Sequence, residues 1–335
     1  MPEQPGLQQL FFQQIRNQIQ DQQSFVHEIA GLLKISYDSA YRRIKGDKQL
    51  SLDELGILSR HYNISLDAIS NLSGKNVVFR NFELDISENK INNWLSVIYN
   101  YYLNAGRAQS KEIIYAAKDP PIHQYFQFPE IAAFKFFFWK KTLFENSAMD
   151  DEQFRLDEIN SEDVETGIKL LEAAVTLPTV EIWNEDTFNM FTRQIEYYWE
   201  SGYFAKKDDL LNLMDKLEKW VKHMQRQADL GFKFRYGQPA SGPENSFIMY
   251  ENEVVLNDNS IYTCIDNVTS VFVTYNVINL MILQDTVYCR EVAQFLQGLI
   301  KRSNLISLTG SKARNRFFGK LLASIEDSGK RMGLA

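Results

Sequence analysis

Between Leu7 and Ile69 apolar positions recur three and four residues apart, and turn-forming residues interrupt them at short intervals. Leu7, Leu10, Phe11, Ile15 and Ile19 form one stripe on a Gln-rich helix. Ser24 is placed to cap a second helix whose inner face is Val26, Ile29, Ala30 and Leu33. Ile35 and Ser36 make the next turn. Ser36 then caps a third helix from about Tyr37 to Ile44, burying Ala40, Ile44 and part of Tyr37 or Tyr41. Gly46 supplies a left-handed stop. Ser51 and Glu54 make a Ser-x-x-Glu capping box for a fourth helix with Leu52, Leu55, Leu58 and Tyr62 inward. Ser65 caps one last turn ending near Ile69. The pattern predicts a five-helix unit of roughly 70 residues, large enough to fold alone.

A turn-like stretch, Asn71 to Asn76, marks the first boundary, and beyond it large aromatics become frequent. Val77 to Leu84 reads as a strand or an extended linker. Helices are predicted at Ile91 to Leu103, at Glu130 to Leu143 behind Pro129, and at Ser161 to Leu177, Asp186 to Ser201 and Lys206 to Leu230. Ile113 to Ala117 fits either a strand or a helix end. From Gly231 the pattern changes: Phe232 to Tyr236, Phe247 to Tyr250, Val254-Val255, Ile261 to Ile265 and Val271 to Leu280 look extended, with turn clusters between them. Two further helices follow, at Val287 to Arg302 and Ala313 to Ile325. The expected fold is mainly α: the five-helix unit over 1–72, a helical region over 76–230, and an α+β part over 231–335 with a small antiparallel sheet. The last two segments are allowed to form one body.

Composition narrows the class. The chain has 335 residues, of which 44% are hydrophobic and 13% aromatic, ample for a packed core. Cys264 and Cys289 are its two cysteines, which argues against a disulfide framework and suits a reducing compartment. The N-terminus lacks a basic-then-apolar leader. The longest apolar run, Val268 to Leu283, is broken by Ser, Thr, Tyr and Asn and is too short to span a bilayer. A cytoplasmic protein without a membrane partner is expected.

The third helix carries the chemistry. Its outward face carries Asp38, Ser39, Arg42 and Arg43, which with Ser36, Tyr37 and, just beyond, Lys45 and Lys48 are the candidate DNA-binding residues. Arginine can donate two parallel hydrogen bonds to guanine O6 and N7, and Asp38 can accept from cytosine N4. Lys45 and Lys48 are better placed for phosphate, and Ser36 and Ser39 suit either phosphate or base. The bland reading of these charges is a solvated helix face. Residues 7–69 resemble the lambda-repressor-type (Cro/C1) helix-turn-helix domain of bacterial regulators. The matching residues are Ile29-Ala30-x-x-Leu33-x-Ile35-Ser36, Gly46, and Asn63-Ile64-Ser65-Leu66-Asp67, about a fifth of the chain. Two positions depart from the family: Lys34 stands where the turn usually has glycine, and Arg43 where an apolar residue is more usual. The resemblance implies a recognition helix in the major groove of double-stranded DNA.

Residues 1–75 hold equal numbers of basic and acidic side chains, so the net charge of −7 lies in the remainder of the chain. A neutral reader gains little non-specific phosphate affinity. A homodimer reading two half-sites is therefore expected, with the larger body setting their spacing and responding to a small-molecule or peptide effector. The alternative is a protein-interaction scaffold whose helix-turn-helix does not bind DNA. A third reading, an enzymatic body, has no supporting motif.

The other candidates are weaker. Phe134, Phe136, Phe137, Phe138 and Trp139 beside Lys135, Lys140 and Lys141 suit either stacking on single-stranded bases or a buried helix, and burial is favoured because the rings point in all directions. His27, His61, His123 and His223 lack metal-ligand spacing, and His27 and His61 are expected on the surface of the small unit. Thr309-Gly310-Ser311-Lys312 lacks the frame of a phosphate loop. Cys264 and Cys289 are read as inert thiols rather than a redox pair. No cofactor, metal or catalytic residue is expected.

Overall fold

The computed structural model describes residues 6–16, 19, 24–66, 77–82, 91–143, 149–158, 161–253, 259–275 and 277–334. The chain divides into two compact units, residues 1–79 and 80–335. The expected boundary at Asn71 to Asn76 and the strand at Val254-Val255 lie outside the described residues.

In the first unit the described helices are α1 (Leu7–Arg16), α2 (Phe25–Leu33), α3 (Tyr37–Lys45) and α4 (Leu52–His61). The fifth helix expected after Ser65 begins at Leu66, and its remainder lies outside the described residues. The capping logic of the sequence is present in atoms. The Ser36 hydroxyl accepts from Ser39 N–H, Gly46 closes α3 at φ 94°, and Ser51 and Glu54 form a reciprocal capping box. Phe11, Phe12 and Ile15 of α1 meet Phe25, Ile29, Ala30, Ala40, Leu58, Tyr62 and Ile64 in the core. Two expectations fail here. Leu52, expected inward, is 86% exposed at the start of α4. On α3 the side chain buried beside Ala40 is Arg43, while Ile44 is only partly covered.

The second unit is built on one eight-stranded sheet. Its elements are β1 (Arg80–Phe82), α5 (Ile91–Arg107), β2 (Lys111–Ala117), α6 (Pro129–Phe138), α7 (Ser161–Val175), β3 (Thr179–Trp183), α8 (Glu185–Glu200), α9 (Lys207–Leu230), β4 (Phe247–Glu251), β5 (Ser260–Ile265), β6 (Val268–Tyr275), β7 (Asn279–Leu283), α10 (Thr286–Lys301), β8 (Asn304–Leu305) and α11 (Ser311–Arg331). A 3-10 turn, Ile122–Gln127, precedes α6. The strand order is β1-β7-β6-β5-β2-β3-β4-β8. β2 and β4 both run parallel to β3, and the remaining neighbours are antiparallel.

The small antiparallel sheet is thereby corrected to a large mixed one. Strands from either side of residue 230 alternate in it, so residues 80–335 form a single body. Three local differences have physical causes. β3 follows the expected helix end at Leu177 and carries no strand signal of its own in the sequence, but Val180, Ile182 and Trp183 gain ladder partners on both sides and its last two residues are fully buried. The run Val271 to Leu280 is two strands, reversed at Val277 in a left-handed backbone conformation (φ 72°). Phe232 to Tyr236 forms no strand, and its Phe234 carbonyl is instead taken by side chains of Gln127, His223 and Gln227.

Strand side chains alternate between the two faces. Ile114, Ala116, Ile182, Tyr262 and Val271 face α10, meeting its Cys289 and Leu296. The opposite set includes Tyr115, Glu181, Thr263 and Phe272, and this face lines a cavity with α5 across it. The aromatic run on α6 is core: Phe134, Phe136, Phe138 and Trp139 are buried among Phe154, Phe191, Tyr198 and Trp220. No helix among the described residues is long and apolar enough to cross a membrane.

Candidate functional site

Two places combine unusual chemistry with a defined geometry, one in each unit. The first is the outer face of α3. Lys34 closes α2 in the left-handed region (φ 54°), donating its N–H back to Ala30 and Gly31. A lysine therefore holds the conformation that glycine adopts at least cost. Ser36 then starts α3, and Gln8 of α1 fastens its far end. The Gln8 amide donates to the Arg43 carbonyl at 2.7 Å and the Lys48 carbonyl at 2.8 Å, while its oxygen accepts from Leu50 N–H at 2.9 Å.

Arg43 is withdrawn from the outward set. It is 6% exposed, and its guanidinium makes a two-pronged contact with Glu54, Nε to Oε2 at 3.0 Å and Nη2 to Oε1 at 2.7 Å. Its Nη1 donates to the Ser39 carbonyl (3.1 Å) and hydroxyl (2.7 Å). Glu54 Oε2 also accepts from Ser51 N–H, so one carboxylate both caps α4 and anchors α3. Hydrogen bonding from Arg43 holds the Glu54 carboxyl below its ordinary value, against its partial burial. Arg43 therefore cannot read a base edge, because every nitrogen of its fork is engaged inside the unit. An apolar residue at this position would fill the same space without the ion pair.

The remaining candidates stay outside. Ser36, Tyr37, Asp38, Tyr41, Arg42, Lys45 and Lys48 are exposed, with Tyr37 at 47% and Tyr41 at 49%. Ser39 is half-buried beneath Arg43. Lys45 is 3.8 Å from Asp47, a solvated pairing of little strength. Tyr37 packs against His27, their ring centroids 4.8 Å apart. Arg42, Asp38 and the two tyrosines thus form the outward chemistry of α3, with Lys34 and Lys48 nearby in sequence. Lys34 and Tyr41 were not among the sequence candidates. A basic residue in a glycine position was the available signal for Lys34.

The second place is the cavity of the body, about 1240 Å³ with its open mouth included. One sheet face supplies Tyr115, Glu181, Ile261, Thr263, Phe272 and Ile282, and α5 supplies Trp94, Val97, Ile98, Tyr101 and Tyr102. Lys135, Trp139 and Lys233 also line the cavity, as does His123 from the 3-10 turn before α6. Sequence reasoning missed this site, since its residues come from segments far apart in the chain. In the sequence Lys135 is marked only by the aromatics beside it.

The ionisable groups there are deeply buried. Lys135 lies among four rings, its Nζ 5.1 Å from the Tyr125 centroid, 5.2 Å from Phe191, 5.4 Å from Phe138 and 5.6 Å from Trp139. It donates to Gln194 Oε1 at 3.1 Å. Burial pulls its pKa down to about 8, with Asp119 opposing the shift. Lys233 donates to Thr179 Oγ1 at 2.9 Å and is likewise drawn down to about 8 by burial, which Glu181 opposes. Both ammoniums therefore remain mostly protonated at neutral pH. Glu181 accepts from Trp183 Nε1 at 2.8 Å, and burial raises its carboxyl pKa despite Lys233. His123 is held neutral, first by burial and then by the charge of Lys233.

The other motifs resolve into packing. A Cβ on Gly310 would come 2.0 Å from the Leu305 carbonyl oxygen, so the glycine permits the close approach of α11 to β8. Cys264 and Cys289 are free thiols, and His27 and His61 are exposed. Among the described residues no group of three or more His, Cys, Asp or Glu is placed to hold a metal ion. No protein-family model, curated protein or solved structure matches the chain.

Proposed function

We propose that the protein is a sequence-specific DNA-binding transcriptional regulator, with α3 of residues 1–79 as the major-groove reader. The observation that carries this reading is the division of labour between adjacent arginines. Arg43 and Glu54 fix α3 internally, and Arg42 is exposed on the outer face with Asp38 and the tyrosines. A reading helix needs this combination, since base discrimination depends on side chains projecting from a rod that does not roll. Arg42 is assigned to a base edge and Lys34 and Lys48 to phosphates. The unit's neutral charge calls for a homodimer, which doubles the contacts on two half-sites.

The test is selection of genomic fragments by the purified full-length protein at low salt. Enrichment of a symmetric site with half-sites one helical turn apart is the expected result. No retained DNA at low salt would overturn the proposal. A second reading, docking of a protein partner, is favoured by the half-exposed Tyr37 and Tyr41, because tyrosine is enriched at protein interfaces. Failure to retain DNA combined with a stable protein complex lost in Tyr41→Ala would select it.

A further inference from the structure

The cavity of the body is graded from mouth to floor. Val97 and Val277 line it while remaining 45% and 43% exposed, which places them at the opening. The ionisable groups Lys135, Lys233, Glu181 and His123 are all more than nine-tenths buried, which places them at the deep end. Between the two the walls are mostly isoleucine, leucine and aromatic side chains, and two of their hydroxyls, of Tyr101 and Thr263, hydrogen-bond each other. A molecule filling this space has an apolar body toward solvent and its polar group inside.

The deep end has more donors than acceptors. The indole N–H groups of Trp94 and Trp139 are buried with no hydrogen-bond partner among the described residues, and both ring nitrogens of His123 are in the same condition. An indole nitrogen can only donate, so what complements it is an acceptor. Trp94 and Trp139 meet edge to face at 5.9 Å, and Lys135 lies over the Trp139 ring, so the two indoles and the ammonium are neighbours. Lys135 makes no ion pair among the described residues and uses one hydrogen bond, to Gln194. On the acceptor side Glu181 is engaged by Trp183, and the Asn259 side-chain oxygen accepts from the N–H groups of Lys118 and Asp119. Asp119 also lines the wall and partly offsets Lys135. Buried polar groups are ordinarily satisfied, and a buried cation is ordinarily paired.

From this geometry we infer that the cavity binds an amphipathic carboxylic acid, its carboxylate held by Lys135, Trp94 and Trp139 and its apolar chain running outward between α5 and the sheet. Nucleotides and sugars are disfavoured because the walls beyond the floor offer them few polar partners. The inference goes beyond DNA binding and stands or falls separately, because binding is measured on the protein without DNA.

The experiment titrates the full-length chain with dodecanoate, dodecanol and dodecylamine, each below its aggregation concentration, by calorimetry and tryptophan emission at neutral pH. Dodecanoate is expected to bind one to one and to change the emission, with dodecanol weaker by about tenfold or more. Lys135→Met should reduce dodecanoate to the affinity of dodecanol, leaving dodecanol within about twofold. Trp139→Phe, which keeps a ring and removes the N–H, should weaken dodecanoate alone and serves if Lys135→Met does not fold. Equal binding of all three probes, preference for the amine, absence of saturable binding, or preference for the acid retained in both variants would each overturn the inference.

Discussion

Arg43 in the first unit and Lys135 in the second are both helical cations removed from water, and they are treated differently. Arg43 is matched by a carboxylate in two-pronged contact and by two oxygens of Ser39, so its charge and all its fork nitrogens are accounted for within the unit. Lys135 is surrounded by rings and bonded to a neutral amide, beside indoles that have no hydrogen-bond partner among the described residues. A buried charge that is fully paired holds elements together. One left with spare donors beside a cavity is poised for something outside the chain. The two units therefore place their candidate chemistry oppositely, on an exposed helix face in one and in a recess in the other.

Breaking the matched pair should have the largest effect. Arg43→Met leaves Glu54 without its main partner and should cost the first unit about 3–4 kcal/mol, read as faster amide exchange across α3 and α4. Adding Glu54→Leu should restore most of that loss, whereas Lys135→Met in the body should change stability by about 1 kcal/mol or less because it breaks no direct ion pair among the described residues. Equal losses in the two units would erase the contrast.

Acid should separate the units next. His223 is buried beneath Phe234 and Tyr236, and burial lowers its pKa from 6.5 to about 4. In the unfolded chain it protonates below its ordinary value, and in the folded chain it does not until near pH 4. Its contribution is therefore complete above pH 6.5 and declines as pH falls toward 4, by on the order of 3 kcal/mol. Neutral His123 adds in the same direction. The Glu54 carboxyl is lowered instead, so the first unit keeps its ion pair until pH falls below the ordinary carboxylate range. All five tryptophans lie in the body, so emission follows that unit alone. His223→Gln should flatten its acid slope, and an unchanged slope would remove His223 from the account.

On the exposed face, Arg42→Ala should weaken specific DNA binding by ~1–3 kcal/mol and relax one base position, measured by competition between operator variants. A uniform loss over all sequences would make Arg42 a phosphate contact. The smallest effect belongs to the turn before α3. Lys34→Gly relieves a left-handed lysine but gives the unfolded chain more freedom, for a net gain of about 0.5 kcal/mol in thermal unfolding.

The helices of the first unit were legible because their signals are local: Ser36, Gly46, and the Ser51–Glu54 box act on backbone groups three or four residues away. The same range explains the error at Arg43. Its partner lies eleven residues on, in a glutamate already assigned to a cap. In the body, α6 to α9 were readable from periodicity, and β3 was not. Its residues become a central strand only through pairing with β2 and β4, which are distant in the chain.

The sequence by itself determined where chain segments turn, cap and present an apolar side, since those choices are set by interactions between near neighbours. Only the tertiary structure decided which of two adjacent arginines faces outward and which is locked. It also decided that Trp94, His123, Lys135, Trp139, Glu181 and Lys233 share one recess. Both outcomes depend on desolvation, and how far a charge is removed from water is fixed by the packing of remote segments.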